Sequence, residues 1–414
     1  FHQRQPHPHR QPRGAEGDPV SLAPATHQGV RWALLAGNFS IGCGVMVTAG
    51  TLNDLARSLQ VSVAVAGQLI SVAAVLIAVT APLFAAVVAG IDRRRLLTGA
   101  LLWFGVWHGI AALMPSFAAL LPVRAISVLS AAVFTPQAAA ALGVMVPPAQ
   151  RGQAITFVLL GWSLASVLGM PIGAWVGEVW GWRWAFGGIG AMALLAALGV
   201  WRSLPDGVRP AALSRAAWAQ VFTSPGLMAI VAVTVFSAAG QFTLFTYFAP
   251  YYSQVLGASP AAISALFMWF GAVGVLGNVL LTRHIDRVGA DRAVGLLLLC
   301  MAASLLLWPL GGSVLAMALV LTPWALGCFA SNAGQQARLV QAAPVLAPAL
   351  IALNSSAMFA GQALGAASGG AVMAAAGWCP LHWMGLAWML AAVALSAWAA
   401  RRLAQARTAG VQLA

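Results

Sequence analysis

From residue 31 to residue 400 the sequence is a succession of apolar runs, each about as long as a helix needs to cross the roughly 30 Å hydrocarbon core of a bilayer. The runs fall at 31–51, 65–89, 97–114, 118–144, 154–177 and 185–202, then at 224–250, 260–282, 293–312, 314–337, 349–373 and 383–400. Only 7% of the residues are charged, against about 25% in a soluble domain. A membrane β-barrel would show segments of about ten residues with alternating polarity, and that alternation is absent. These runs predict an all-α membrane protein with twelve transmembrane helices.

The net charge of +13 comes entirely from arginine, and its distribution argues against nucleic acid as a partner. Arg93–Arg95, Arg151, Arg202, Arg209, Arg215, Arg283, Arg287, Arg292, Arg338, Arg401, Arg402 and Arg407 all fall on one side of the predicted spans. The other side holds little more than Arg57 and Arg183. Basic loops stay in the cytoplasm, so both termini are expected there. The absence of Lys beside abundant Ala, Gly and Arg points to a GC-rich bacterial genome, hence to a multi-pass protein of the bacterial cytoplasmic (inner) membrane.

Residues 1–29, rich in Pro, His, Gln and Arg, read as a disordered basic tail. His2, His7 and His9 lie in it and are not expected to hold a metal. A cleavable signal peptide is not expected, because no short apolar core with a small-residue cleavage site precedes the first run. A six-span half at 30–202, a cytoplasmic connector at 203–222, a second six-span half at 223–400 and a cytoplasmic tail at 401–414 complete the expected organisation. Cys43, Cys300, Cys328 and Cys379 have neither disulfide nor metal spacing. No nucleotide-binding P-loop and no nucleophile-elbow GxSxG turn occurs. No cofactor and no enzymatic activity are expected.

The two halves echo each other. Gly161, Ala165, Gly169, Gly173, Gly177 and Gly181 form a ladder of small residues at every fourth position, a groove of bare backbone for a neighbouring helix. Pro171 interrupts it and predicts a bend. Leu168, Gly169, Gly173, Gly181 and Trp182 recur 196 residues later as Leu364, Gly365, Gly369, Gly377 and Trp378, and Ile91-Asp92-Arg93 recurs as Ile285-Asp286-Arg287. The expected partner of the ladder is the eighth span, with Gly271, Gly274 and Gly277.

Four stretches resemble the major facilitator superfamily, and within it the drug/proton antiporter branch that includes arabinose-efflux-like permeases. They are GTLNDLARSLQVSVAVAGQL at 50–69, RAISVLSAAVFTPQAAAALGVMVPP at 124–148, GMPIG at 169–173 with GWRWAF at 181–186, and NSSAMFAGQALGAASGG at 354–370. The resemblance implies two pseudo-symmetric halves that rock about a central site. Two departures stand out. Gly90-Ile91-Asp92-Arg93-Arg94-Arg95 is a shortened form of the family's loop motif, and Gly44, Val45 and Met46 stand where relatives often carry an acidic residue.

The resemblance also implies that spans one, four, seven and ten line a cavity. There the residues offer Asn38 and Thr48, then Gln137, then Gln241 and Tyr247, then Asn332 and Gln336, each either facing a solute or bonding between helices. Arg124, a charge inside a span, must face the interior or reach an interface, and the resemblance makes it a coupling residue. Gly169, Pro171, Gly173 and Gly177 are expected in close helix packing or gating. Asp92, Arg93, Asp286 and Arg287 read either as a gating latch or as capped, solvated turns. Arg183 is the expected partner of Glu178, and His108 is expected to bond within the bundle. Trp162, Trp269 and Trp324 are candidates for touching solute.

Together these features predict a secondary carrier, a monomer in the lipid bilayer, that exports a small, partly hydrophobic solute in exchange for protons. Uptake, exchange or facilitated diffusion by the same fold, and a receptor without turnover, are the alternatives.

Overall fold

The computed structural model describes residues 24–88, 90–210, 214–343 and 346–408. His2, His7, His9 and most of the expected N-terminal tail lie outside them. Helix α1 runs over Pro24–Gly50, so it begins inside the stretch expected to be tail. It is followed by α2 (Leu52–Ser58), α3 (Val63–Val87), α4 (Arg93–Ala112), α5 (Phe117–Ser127) and α6 (Leu129–Met145). Next come α7 (Pro148–Leu164), a π turn at Ala165–Gly169, α8 (Met170–Val179) and α9 (Trp182–Ser203). A short α10 (Arg215–Thr223) leads into α11 (Pro225–Phe245), α12 (Phe248–Gln254), α13 (Pro260–Val288), α14 (Ala290–Leu307), α15 (Val314–Ala342), α16 (Ala347–Ala376) and α17 (Leu381–Thr408).

Among the described residues, 11 helical segments are long and apolar enough to cross a membrane. The exception among the long helices is α4, whose hydropathy is diluted by Arg95 near one end and His108 near the other. Its starting point is fixed by Asp92, whose carboxylate accepts from the amides of Arg94 and Arg95. Serine hydroxyls cap four other helices: Ser62 on α3, Ser116 on α5, Ser259 on α13 and Ser313 on α15. Each satisfies one of the amides that a helix N-terminus leaves unpaired.

The helix that carries the small-residue ladder does pack on its expected partner, α13, but the glycine face itself turns elsewhere. It lies along α1: Gly161 faces the backbone of Leu35 and Phe39, Gly169 faces Cys43, Gly173 faces Val47 and Gly177 faces Thr51. The glycines of α13 go elsewhere, Gly274 to Phe329 and Gly277 to Leu326, while Gly271 alone touches the ladder helix, at the backbone of Ser166. Both findings have one cause. The ladder is a single face, and the face beside it, carrying Ser166 and Pro171, is what remains for α13; Ser264 Oγ donates to Pro171 O at 3.1 Å.

The same contact recurs between α16 and α11. Gly365 meets Ala239 and Gly369 meets Thr243, each position 196 residues beyond its counterpart in the pairs Gly169–Cys43 and Gly173–Val47. Pro171 sits directly after the π turn. A proline cannot donate to the helical ladder and crowds the carbonyl four residues back, and the wider turn absorbs that clash. In α15, Pro323 makes a similar break, repaired from outside: Ser304 Oγ donates to Val320 O at 2.6 Å and accepts from Trp324 N at 2.9 Å.

A Cβ on Gly161 would stand 2.7 Å from Leu35 O and Phe39 N, whereas Gly295 opens onto free space. Gly161→Ala is therefore expected to destabilise the purified protein by about 1–3 kcal/mol, read as a lowered melting temperature. Gly295→Ala should leave it unchanged or raise it.

Candidate functional site

Arg124 lies in the last turn of α5, where the chain breaks before α6, and only 2% of it is exposed. Its Nη2 donates to Gly44 O on α1 at 2.7 Å, and its Nη1 lies 3.0 Å from His108 Nε2 on α4. His108 Nδ1 is 2.8 Å from Phe104 O. A carbonyl only accepts, so Nδ1 carries the ring hydrogen and Nε2 presents its lone pair to Arg124. The guanidinium also sits 5.6 Å from the ring centre of Phe186 on α9. Its Nε has no hydrogen-bond partner.

No carboxylate pairs with Arg124 among the described residues. Asp54 and Glu178 both meet Arg57, at 3.3 and 3.4 Å. This overturns the expected Glu178–Arg183 pair: Arg183 turns away, donates to Met114 O at 2.9 Å and covers the Trp182 ring. Asp206 meets Arg94 at 2.8 Å, and Asp291 pairs with Arg338. Asp92 caps α4 and also accepts from Gly207 N. Glu16 and Asp18 are outside the described residues, as is the side chain of Asp286. A buried cation without a counter-ion is costly, and here a neutral imidazole and one carbonyl stand in for a carboxylate.

Arg124 borders a small cavity. Its other walls are Val45 of α1, Ile70, Ala73, Ala74 and Ile77 of α3, Val128 between α5 and α6, and Gln362 of α16. Of the residues expected to line the cavity or to couple, Arg124 alone lines it, beside Val45 from the stretch where relatives often carry an acid. Asn38 is buried and donates to Val158 O at 3.2 Å, while its own carbonyl accepts from Thr135, which in turn accepts from Trp162 Nε1. Asn332 accepts from Asn354 Nδ2 at 2.9 Å. Asn354 also accepts from Thr234, which accepts from Gln335. Thr48 is buried with its hydroxyl unpaired, Gln137 is buried on α6, and Gln241 and Gln336 are half-buried on α11 and α15. Trp324 is enclosed among Phe248, Phe270 and Trp308, and Trp269 bonds Ala318 O and Thr322.

Tyr247 is wedged rather than open. Its hydroxyl donates to Ala366 O on α16 at 2.8 Å and presses on Gly67 of α3 and Gly370 of α16. Beside it, Asn53 Nδ2 donates to Ala249 O at 3.0 Å, a contact between positions 196 residues apart. These contacts join the N-terminal and C-terminal helices at one end of the bundle. At the other end, Arg93 donates to Val88 O and Ile91 O, and its backbone amide to Val208 O, tying the start of α4 to the segment after α9. Arg287, in the last turn of α13, is exposed.

A family model described as the Major Facilitator Superfamily matches residues 34–347, most of this bundle. The chain belongs to the major facilitator superfamily. It is thus a membrane transporter that moves a small solute, not an enzyme. It is 30% identical over 346 residues to the Escherichia coli inner membrane transport protein YdhP, covering 83% of this chain and 88% of that one. It is 26% identical over 336 residues to the Bacillus subtilis MFS-type transporter YbcL, covering 80% and 86%. Among solved structures, the D-xylose-proton symporter superposes with a TM-score of 0.72 at 14% identity, covering 89% of this chain and 97% of that one. The human organic anion transporter MFSD10 gives 0.68 at 18% identity, covering 91% and 100%. Both likenesses concern the fold.

In this superfamily member, sequence reading missed His108 as the partner of Arg124 and Gln362 as a cavity wall. His108 lies 16 residues before Arg124, on another helix, and no local pattern joins them. The Arg338–Asp291 pair was also missed, since Arg338 reads as one of the cytoplasmic-side arginines. Arg338 is buried and also bonds Ser396, whereas Asp206 of the Arg94 pair is largely exposed. Asp291→Ala should therefore lower stability by about 1.5–3 kcal/mol. Asp206→Ala should change it by less than about 1 kcal/mol, both read from detergent unfolding midpoints.

Proposed function

We propose that this transporter is an efflux carrier of the drug/proton antiporter branch, exporting a small, partly hydrophobic solute in exchange for protons. The observation that carries this reading is Arg124, buried between α1, α4 and α5 on Gly44 O and His108, and open on its remaining side to the cavity shared with α3 and α16. A buried cation with no carboxylate of its own is sensitive to any charge that enters, which is the property a coupling residue needs. Alternating access would rock residues 30–202 against 223–400, with α4 counted as a twelfth span and 203–222 as connector. The repeated glycine contacts of α1 with α7–α8 and of α11 with α16 support that division.

With the arginine-rich loops cytoplasmic, both termini lie on the cytoplasmic side of the bacterial inner membrane, and the end joined by Tyr247 and the Asn53–Ala249 bond faces outward. The inner-membrane relative YdhP supports that location. The polar, uncharged side chains of Asn38, Thr48, Gln137, Gln241, Asn332 and Gln336 are the proposed solute contacts as the halves move. Gly169, Pro171, Gly173 and Gly177 are the proposed pivot of the gate, and Asp92, Arg93, Asp286 and Arg287 are its proposed cytoplasmic latches. The carrier is proposed to act as a monomer. Because no described carboxylate lies beside Arg124, facilitated diffusion is the competing reading.

An export screen of drugs, sugars and nucleosides in everted vesicles at two pH values tests both. The expected result is export that stops when the pH gradient and membrane potential are collapsed. An unchanged rate would replace antiport with facilitated diffusion. Arg124→Ala is expected to lower export at least about tenfold, which is roughly 1.4 kcal/mol, while the variant still elutes as a folded monomer. Full activity would remove Arg124 from the mechanism.

A further inference from the structure

We propose that the C-terminal wall of the solute path recognises a hydrogen-bond acceptor on the solute through the side-chain NH2 of Asn332. The acceptor is a carbonyl or carboxylate oxygen or a ring-nitrogen lone pair, and Gln335, Thr234 and Asn354 hold the donor outward. The inference rests on the carrier reading above and adds the chemistry by which its solute is chosen.

A one-way chain of hydrogen bonds sets the orientation. It starts at Gln335 on α15, whose Nε2 lies 2.9 Å from Ile230 O on α11. A carbonyl only accepts, so the atom facing it is the amide nitrogen. The same nitrogen gives its second hydrogen to Thr234 Oγ1 at 3.2 Å. Thr234 in turn stands 2.6 Å from the side chain of Asn354 on α16. That length belongs to an O–H···O bond and is short for N–H···O, so the hydroxyl donates and Asn354 turns its oxygen toward it. The Nδ2 of Asn354 is thereby left to donate to Asn332 Oδ1, at 2.9 Å. Gln335, Thr234 and Asn354 are buried, whereas Asn332 is half-buried. Its oxygen is taken, and among the described residues nothing accepts from its Nδ2.

The open side of Asn332 does not face lipid. Leu315 and Leu319, at the other end of α15, are 73% and 64% exposed, but from residue 320 to residue 340 no position of that helix is exposed. An unpaired amide donor against hydrocarbon would be costly. Asn332 and the half-buried Gln336, one turn further on the same face, therefore open onto a crevice inside the bundle.

The repeat shows the same contact serving packing alone. Positions 196 residues before Thr234 and Asn354 are Asn38 and Val158, and they too are bonded. Asn38 Nδ2 donates to Val158 O at 3.2 Å and its oxygen accepts from Thr135. That amide is fully buried and ends on a backbone carbonyl, with nothing presented to a solute. In the C-terminal half the asparagine stands on the other helix of the pair and carries the chain one helix further, to Asn332. Joining two helices needs no such extension.

The test uses pyridine, a flat apolar ring with one acceptor lone pair, and benzene, a ring of the same shape with none. Full-length protein carrying 15N-labelled asparagine is reconstituted in lipid vesicles, and its side-chain NH2 signals are followed by NMR as each probe is added. Asn332→Asp assigns the signal. If that variant does not fold, substitutions of Asn38, Asn53, Asn278 and Asn354 assign it by elimination. The expected result is an Asn332 NH2 that exchanges with deuterated water while that of Asn354 is protected, and that moves downfield with pyridine and not with benzene. Asn354→Asp replaces the donor by an oxygen, which should draw the Asn332 NH2 inward and abolish the response to pyridine. Thr234→Val, which removes the hydroxyl that orients Asn354, should weaken the same response and serves if Asn354→Asp does not fold. An Asn332 signal indifferent to pyridine, or moved equally by benzene, overturns the proposal. A response unchanged in the variants overturns the positioning role. Gradient-driven export beside an Asn332 indifferent to pyridine sinks this inference alone. A pyridine-responsive Asn332 in a protein that exports nothing in the solute screen sinks the carrier reading instead.

Discussion

Close approach of helix backbones is the condition on which the rest of this structure depends. Lipid offers helices no hydrophobic reason to associate, so they are held by contact area, and contact area grows as backbones come nearer. Gly161 against the main chain of Leu35 and Phe39, and Gly369 against Thr243, are contacts that a methyl group would push apart. In this way α1 is clamped to α7–α8 and α11 to α16. Contacts between the two clusters include Ser264 on Pro171, Gly271 on Ser166 and Tyr247 on Gly67, and α3 packs along α16 with Phe359 and Ala363 in the apolar core of the N-terminal helices.

The sequence was most legible where its signal was periodic and one-dimensional. Run length placed the helices, with ends displaced by as much as Pro24 against 31 for α1 and Thr408 against 400 for α17, the small-residue spacing gave a packing face, and the echo at 196 residues reappears in space as equivalent contacts. It was least legible where the answer depended on which face turned to which neighbour. The ladder was real, but a stripe of glycine does not name the helix that fills it, and α1 rather than α13 does so. Glu178 chose Arg57 over the nearer-in-sequence Arg183 because the turn at Gly181, with φ 99°, carries Arg183 toward Met114. Polar residues that looked like cavity walls help to hold helices together, Asn38 through its whole amide and Asn332 through its side-chain oxygen.

Charge is distributed with matching economy. Within the described residues, ion pairs gather near helix ends, where water screens them and the desolvation cost is small. Arg338 is the exception that keeps its carboxylate. Arg124 is the exception that does not, and its neighbours are groups whose hydrogen-bonding capacity, rather than charge, satisfies it. That difference separates a structural arginine from one whose position is open to control.

The Asn53–Ala249 bond joins a residue to its own counterpart one repeat later. Two asparagines at these positions could have made a reciprocal pair. Alanine leaves one neutral bond, worth about 1 kcal/mol, a factor of roughly five between closed and open populations. A bond of that strength shares the holding of this end of the bundle with Tyr247, wedged against Gly67.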